Sequence, residues 1–359
     1  MIGRAALHGS NVSSHSERIT PAHRRVEQDS AVLRPCTFMV TMPKRTLTNA
    51  EILSELEPTV AASLDRHIAG SGEWFPHEFI PYEEGRNYID EPWVPSDSRL
   101  PDIAQTALEV NLLTEDNLPY YHLGLWDTFG QHEAWGEWVR RWTAEEGRHA
   151  IVLRDYLVVT RGLDPRELER ARMSMVERGW YPGFANIGPL DGVAFTSVQE
   201  LATRISHRNT GLITNDETAV KLTARVATDE NLHYVFYRDM AAAALQVEPS
   251  EMMIAIARQI VDFQMPGVGM PGFSDKAKAM ARAGIYNLRI HLDQVLRPIL
   301  QQHWRIGEIE GLTDDAKIAR DQIFAHLERI DRIATKLDEP AGPSAPSVAV
   351  AGELSEPSS

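Results

Sequence analysis

Two Glu-x-x-His segments, Glu146/His149 and Glu230/His233, each follow a single upstream glutamate, Glu115 and Glu200. Residues three apart on a helix share a face, so each Glu and its His can reach one ion together. Four carboxylates and two imidazoles are the ligand set of a di-iron or di-manganese site inside a four-helix bundle. The spacing is nearly duplicated: Glu115 to Glu146 is 31 residues, Glu200 to Glu230 is 30, and the halves are offset by 85 and 84. A helix–turn–helix unit repeated with near two-fold symmetry would bring Glu115, Glu146 and His149 to one metal and Glu200, Glu230 and His233 to the other. Glu146 and Glu230 could then bridge both ions, with Glu115 and Glu200 capping the ends. Imidazoles with carboxylates favour iron or manganese over thiolate-rich zinc sites, so redox chemistry is available. One such segment alone is more often a surface neighbour pair. Here Trp138 and Trp142 precede the first and Phe236 follows the second, which points to a core setting. Four core carboxylates without cations would be prohibitively costly.

The elements that must position these residues read as long helices. Apolar residues recur at three- and four-residue intervals from Asp102 to Leu118, with Pro101 and Asp102 as plausible starting residues. Pro119 should kink that run or divide it. A second run from about Ala134 continues through Leu153 and Leu157 until Arg161-Gly162 stops it. A third spans about Ser197 to Thr210, a fourth Asp216 to Met240, and the last convincing one Asp315 to Leu337. The β-branched cluster of Tyr156 to Thr160 falls inside a helical pattern, so the fold class is all-α.

Size, charge and cysteine content narrow the classes further. The 359 residues can bury a substantial core, while a net charge of -15 argues against non-specific nucleic-acid binding. The single cysteine, Cys36, excludes an intramolecular disulfide scaffold and a cysteine-rich metal site, and fits a reducing cytoplasm. No apolar stretch reaches the length needed to cross a bilayer. Residues 1–42 read as a disordered or non-native extension, with Met39 or Met42 as the start, and 43–338 as one domain. Residues 339–359 read as a disordered tail, rich in Pro, Ser, Ala and Gly.

Around the six ligand candidates the sequence is similar to a known family. The stretches Trp142 to His149, Ser197 to Thr210 and Asp229 to His233 resemble signature blocks of the acyl-acyl-carrier-protein desaturases of plant plastids and actinobacteria. Thr114 to Pro119 resembles the segment carrying the first ligand. Further similarity, closest to the mycobacterial branch, runs from Leu56 through Trp74 to Ile80 and on to Phe263 and Trp304, covering about residues 45 to 335. The resemblance implies a ferritin-like di-iron four-helix bundle core with additional helices. It implies oxygen-dependent insertion of a cis double bond into a saturated acyl chain on acyl carrier protein, with electrons from ferredoxin. All six positions match the family's ligands, for two iron ions, with manganese as a possible substitute. It also implies a homodimer, although a helical subdomain from Ser250 to Leu337 could cover the same apolar surface. Two other readings share the cluster: a di-iron hydroxylase or N-oxygenase, and a non-catalytic metal-binding relative.

The same blocks assign supporting roles. Thr203, three residues after Glu200, would face the oxygen side of the site and handle a proton; the plainer reading is a helix Thr bonding to its own turn. Asp229 is similar to a family residue that hydrogen-bonds a ligand His, here His149. Trp74 would complete a Trp–Asp–His electron route from the surface. Lys276, Lys278, Arg282 and Arg289 form a candidate surface for the acidic carrier protein.

Overall fold

The computed structural model describes residues 45–130 and 133–338, so the expected extension at 1–42 and tail at 339–359 lie outside the described residues. The described residues contain helices and turns and no strand. Helix α1 (Asn49–Gly70) begins on a reciprocal cap: the Glu51 amide donates to Thr48 Oγ1, and the Thr48 amide to Glu51 Oε2. A long crossover of turns then leads to α2 (Asp102–Glu115) and α3 (Leu118–Phe129). Pro119 divides these two, as the sequence suggested, because proline lacks the N–H that would bond the Glu115 carbonyl.

Four helices form the bundle: α2, α4 (Glu133–Val159), α6 (Pro189–Leu212) and α7 (Glu217–Val247), with α5 (Pro165–Arg178) on the chain path between α4 and α6. Each packs on two others in the cycle α2, α4, α7, α6. The closest pair is α6 with α7, where a Cβ at Gly211 would collide with the Thr223 hydroxyl. Helix α6 starts eight residues before the Ser197 expected from periodicity, because Pro189 sits at its first turn after Gly188. Beyond the bundle, α8 (Pro249–Val261) packs on α6 and α7, and α9 (Phe273–Arg282) on α2. A short helix α10 (Leu288–Ile290) runs into a π-helical stretch around Pro298, and α11 (Asp314–Asp338) covers α8. These C-terminal helices thus cover part of the bundle within the chain.

Arg161 ends α4 in an unexpected way. It takes the left-handed conformation itself, at φ 57°, while its buried guanidinium bonds Asp97 and the Glu91 carbonyl and lies over Tyr88. That clasp ties the crossover, which carries Trp74, to the end of the bundle. Among the described residues no helix is long and apolar enough to cross a membrane.

The core centres on Trp138, fully buried and stacked on Phe236 at 3.6 Å between ring centroids. Trp138→Ala should cost about 3–5 kcal/mol, because a large cavity opens between α4 and α7. Denaturant unfolding of the metal-free protein measures this, and a loss under about 1 kcal/mol would show the core to be less tightly packed.

Candidate metal centre

Each bundle helix delivers its ligand candidates inward: Glu115 from α2, Glu146 and His149 from α4, Glu200 from α6, Glu230 and His233 from α7. All six are buried, both imidazoles completely. Their donor atoms fall into two groups, Glu115, Glu146, His149 and Glu230, and Glu146, Glu200, Glu230 and His233, each within 4.8 Å. Glu146 and Glu230 belong to both, which is the geometry of bridging carboxylates.

The polar atoms left over show whether these residues fit metal ions. His149 Nδ1, His233 Nδ1, Glu146 Oε1 and Glu200 Oε2 are buried without hydrogen-bond partners. They nonetheless crowd together, His233 Nδ1 lying 2.8 Å from Glu146 Oε1 and 3.6 Å from Glu200 Oε2. Buried polar atoms are rarely left unpaired. Four of them directed at one small region fit a pair of cations.

The outward edges of the ligands are held by other side chains. His149 Nε2 lies 3.5 Å from Asp229 Oδ2, which accepts the Trp74 indole at 2.8 Å and Arg148 at 3.0 Å; Arg225 binds the other oxygen. Trp74 is buried, parallel to the His149 ring, with both guanidiniums over its face. On the other half, His233 Nε2 lies 3.0 Å from Glu145 Oε2. Glu145 precedes Glu146 just as Asp229 precedes Glu230, and each serves the His of the opposite half. The repeat could have revealed Glu145, since it maps onto Asp229, but sequence reasoning carried only Asp229. His207 and Trp142 were also missed as ligand partners. His207 Nε2 donates to Glu115 Oε1 at 2.8 Å, a tautomer assigned from the Asn111 amide facing its Nδ1, and the Trp142 indole donates to Glu200 at 3.0 Å.

Thr203 Oγ1 lies 2.9 Å from Glu230 Oε2 and 3.1 Å from the carbonyls of Gln199 and Glu200, so the site-facing and own-turn geometries coexist. Beside it is a cavity of about 70 Å³, lined by Val110, Thr203, His207, Phe273, Met280 and Tyr286 among others. Its lining is mainly apolar on the α9 side and polar on the side of Thr203 and His207, which bond Glu230 and Glu115. The basic surface read from the sequence is largely neutralised: Lys276 pairs with Glu109, Lys278 with Asp275, and Arg289 with Asp331 and Asp338. Of the four, Arg282 alone has no such partner among the described residues.

Comparison with known proteins places this centre. A fatty acid desaturase family profile matches residues 48–350. The chain is 45% identical over 301 residues to the Mycobacterium tuberculosis protein described as an acyl-acyl-carrier-protein desaturase, DesA1, covering 81% of this chain and 89% of that one. The chain belongs to the acyl-acyl-carrier-protein desaturase family. Stearoyl-acyl-carrier-protein 9-desaturase 5 of Oryza sativa is 28% identical over 307 residues, covering 79% of this chain and 77% of its own. The X-ray structure of DesA2 from M. tuberculosis overlays with a TM-score of 0.60 at 27% identity, covering 76% of this chain and 99% of that chain. In this desaturase the ferritin-like core and an iron-based centre follow from the family and the converging ligand groups.

Protonation without metal is uneven. Burial, then the Glu230 charge, pushes the Glu200 carboxyl well up, and the same two causes raise Glu146. Burial also pushes Glu115 up, but His149 and His207 outweigh it and hold Glu115 below the usual carboxylate range. For Asp229 burial is likewise outweighed, chiefly by His149, leaving it at about 2. Burial lowers His149 and His233, yet the surrounding carboxylates win and raise both well above the ordinary imidazole value. Metal ligands must be deprotonated, so raised pKa values mean protons bound near neutrality that leave when metal binds. Iron affinity should therefore rise with pH, and ferrous loading at pH 7 should release about two protons from the imidazoliums together with the proton that Glu200 holds. Calorimetry in buffers of different ionisation enthalpy measures that release; uptake of protons, or none, would contradict the assignment.

Proposed function

We propose that this protein inserts a double bond into a saturated fatty acyl chain carried as a thioester on acyl carrier protein. The reading rests on six ligand candidates that surround one region bordered by a largely apolar cavity. We assign Glu115, Glu146, His149, Glu200, Glu230 and His233 as the ligands of two iron ions. Manganese is the substitute the same set would accept. The balance is one saturated –CH2–CH2– unit, O2, two electrons and two protons giving –CH=CH– and two waters. Bound iron supplies the oxygen activation and electron exchange.

The residues of the chain do the rest. The cavity beside Thr203 would hold the reacting methylenes against the centre and keep water away, since its inner lining, including Val110, Thr203, His207 and Met280, is buried. Thr203, hydroxyl within reach of Glu230 Oε2, is placed to hold or pass a proton there. Trp74, bonded to Asp229 and parallel to the His149 ring, offers an indole beside that ring for an electron from ferredoxin or a similar donor. The pairing of Lys276, Lys278 and Arg289 leaves carrier docking to local charge around the cavity rather than to that patch as a whole. A single cysteine supports a reducing, cytoplasmic setting.

Incubation of the iron-loaded protein with palmitoyl- or stearoyl-carrier protein, reduced ferredoxin and O2 should give an acyl product lighter by two hydrogens. A product heavier by one oxygen would make it a hydroxylase, and ferrous oxidation without any product would make it a non-catalytic relative. Thr203→Ala should keep near-normal iron yet lower turnover by about 100-fold, the low end for a positioned proton-transfer group. Loss of both ions in that variant would instead make Thr203 structural. We also propose a homodimer, which light scattering at micromolar concentration should report as twice the chain mass; a monomer throughout would count against it.

A further inference from the structure

One buried imidazole at the centre has no role in the preceding assignments. His67, on α1 outside the four-helix bundle, points Nε2 at Glu145 Oε2, 2.8 Å away. The same oxygen faces His233 Nε2 at 3.0 Å, and all three residues are buried. The His67 ring meets Trp138 edge-on at 5.0 Å and lies within 23° of parallel to the His233 ring at 5.7 Å. It cannot swing without displacing the most buried tryptophan of the core.

The duplication gives this contact meaning. Glu145 and Asp229 occupy equivalent places in the two halves, each next to a ligand glutamate and each holding the histidine of the other half. Asp229 is in turn held by the Trp74 indole, and Glu145 by His67. Both carboxylates also receive arginine: Arg148 and Arg225 on Asp229, Arg141 on Glu145 at 2.5 Å. His67 therefore stands, for the Glu200 and His233 half, where Trp74 stands for the Glu115 and His149 half. The two groups reach the centre from outside the bundle, one from α1 and one from the crossover after it. They differ chemically, an imidazole on one side and an indole on the other.

We propose that His67 is a positioning residue for the Glu200 and His233 half of the metal centre. By bonding Glu145 it fixes the carboxylate that orients the His233 ring, so that His233 Nδ1 faces the ligand groups. The inference rests on the di-iron reading of the site. Residues that orient a ligand histidine commonly contribute about 10- to 100-fold to metal affinity.

The test uses the full chain, loaded anaerobically with ferrous iron-57, and compares His67→Ala, Glu145→Gln and Trp74→Phe. Mössbauer spectra should show two inequivalent ferrous sites, with His67→Ala and Glu145→Gln altering one and Trp74→Phe the other. A ferrous chelator should remove one ion per chain about 10- to 100-fold faster from His67→Ala than from the parent. His67→Gln, whose amide can still donate to Glu145, should recover slow release. Thermal melts of the metal-free variants separate this from loss of fold, and Glu145→Gln keeps the test alive if His67→Ala does not fold. Unchanged spectra and release in both His67→Ala and Glu145→Gln would overturn the proposal, as would equal disturbance of both sites. A third ion per chain, lost in His67→Ala, would overturn it in favour of a separate metal site at His67, Glu145 and His233. A parent chain that binds no pair of ions would remove the di-iron reading itself, whereas a normal pair untouched by these variants would sink only the role of His67.

Discussion

Burying four carboxylates between helices without losing the fold is the constraint around which this molecule is arranged. Glu115, Glu146, Glu200 and Glu230 are each at most 6% exposed, and the effective cost of desolvating one such ion is several kcal/mol. Protons can offset it, and the metal-free centre uses them unevenly: Glu200 and Glu146 are pushed toward the neutral form while both histidines are pushed toward the charged one. Two divalent cations would replace those protons with four positive charges against four carboxylates, and would supply partners for the atoms that have none. Metal binding and the stability of the bundle are thereby linked.

The surroundings of the centre divide into a filled wall and an open one. On the side of α4 and α7 the space is occupied by ion pairs and rings: Asp229 with Arg148 and Arg225, Glu145 with Arg141 and His67, and the Trp74 and Trp138 rings behind them. These groups fix the ligands. On the side of α2 and α6 the supporting groups are fewer, His207, Asn111 and Thr203, and the cavity lies directly beyond them under α9. A flexible apolar chain can approach the reacting centre only where the ligands are held by short side chains of the bundle itself. That makes the division a consequence of how the ligands are held.

What could be read from the sequence was what the helix period carries. The six ligand candidates, their pairing and the division of α2 from α3 at Pro119 all follow from spacing within about thirty residues. Trp74 and Asp229, 155 residues apart, came only through likeness to a family, because no local pattern joins them. His67 was invisible for the same reason: it lies 78 residues from Glu145 on a helix outside the repeat. Glu145 was legible, since it repeats Asp229 at the same offset, but a second glutamate beside a ligand reads as ordinary helix composition. The docking patch was less legible for a different reason. Cations clustered in sequence say nothing of the acids that face them from other elements, and Glu109 and Asp331 come from α2 and α11.

The duplication makes the two halves equivalent at the ligands and then lets their partners differ. Glu115 takes its outer hydrogen bond from His207, whereas Glu200 takes its own from the Trp142 indole. His149 and His207 hold Glu115 below the usual carboxylate range, while burial and the facing Glu230 charge raise Glu200 despite His233. In the metal-free centre the two caps are therefore unequal, the more anionic one on the half that holds His149. His207 fixes that cap with one nitrogen's hydrogen and lines the cavity with the same ring. An occupant of the cavity would therefore lie against the ring that holds the Glu115 cap in place.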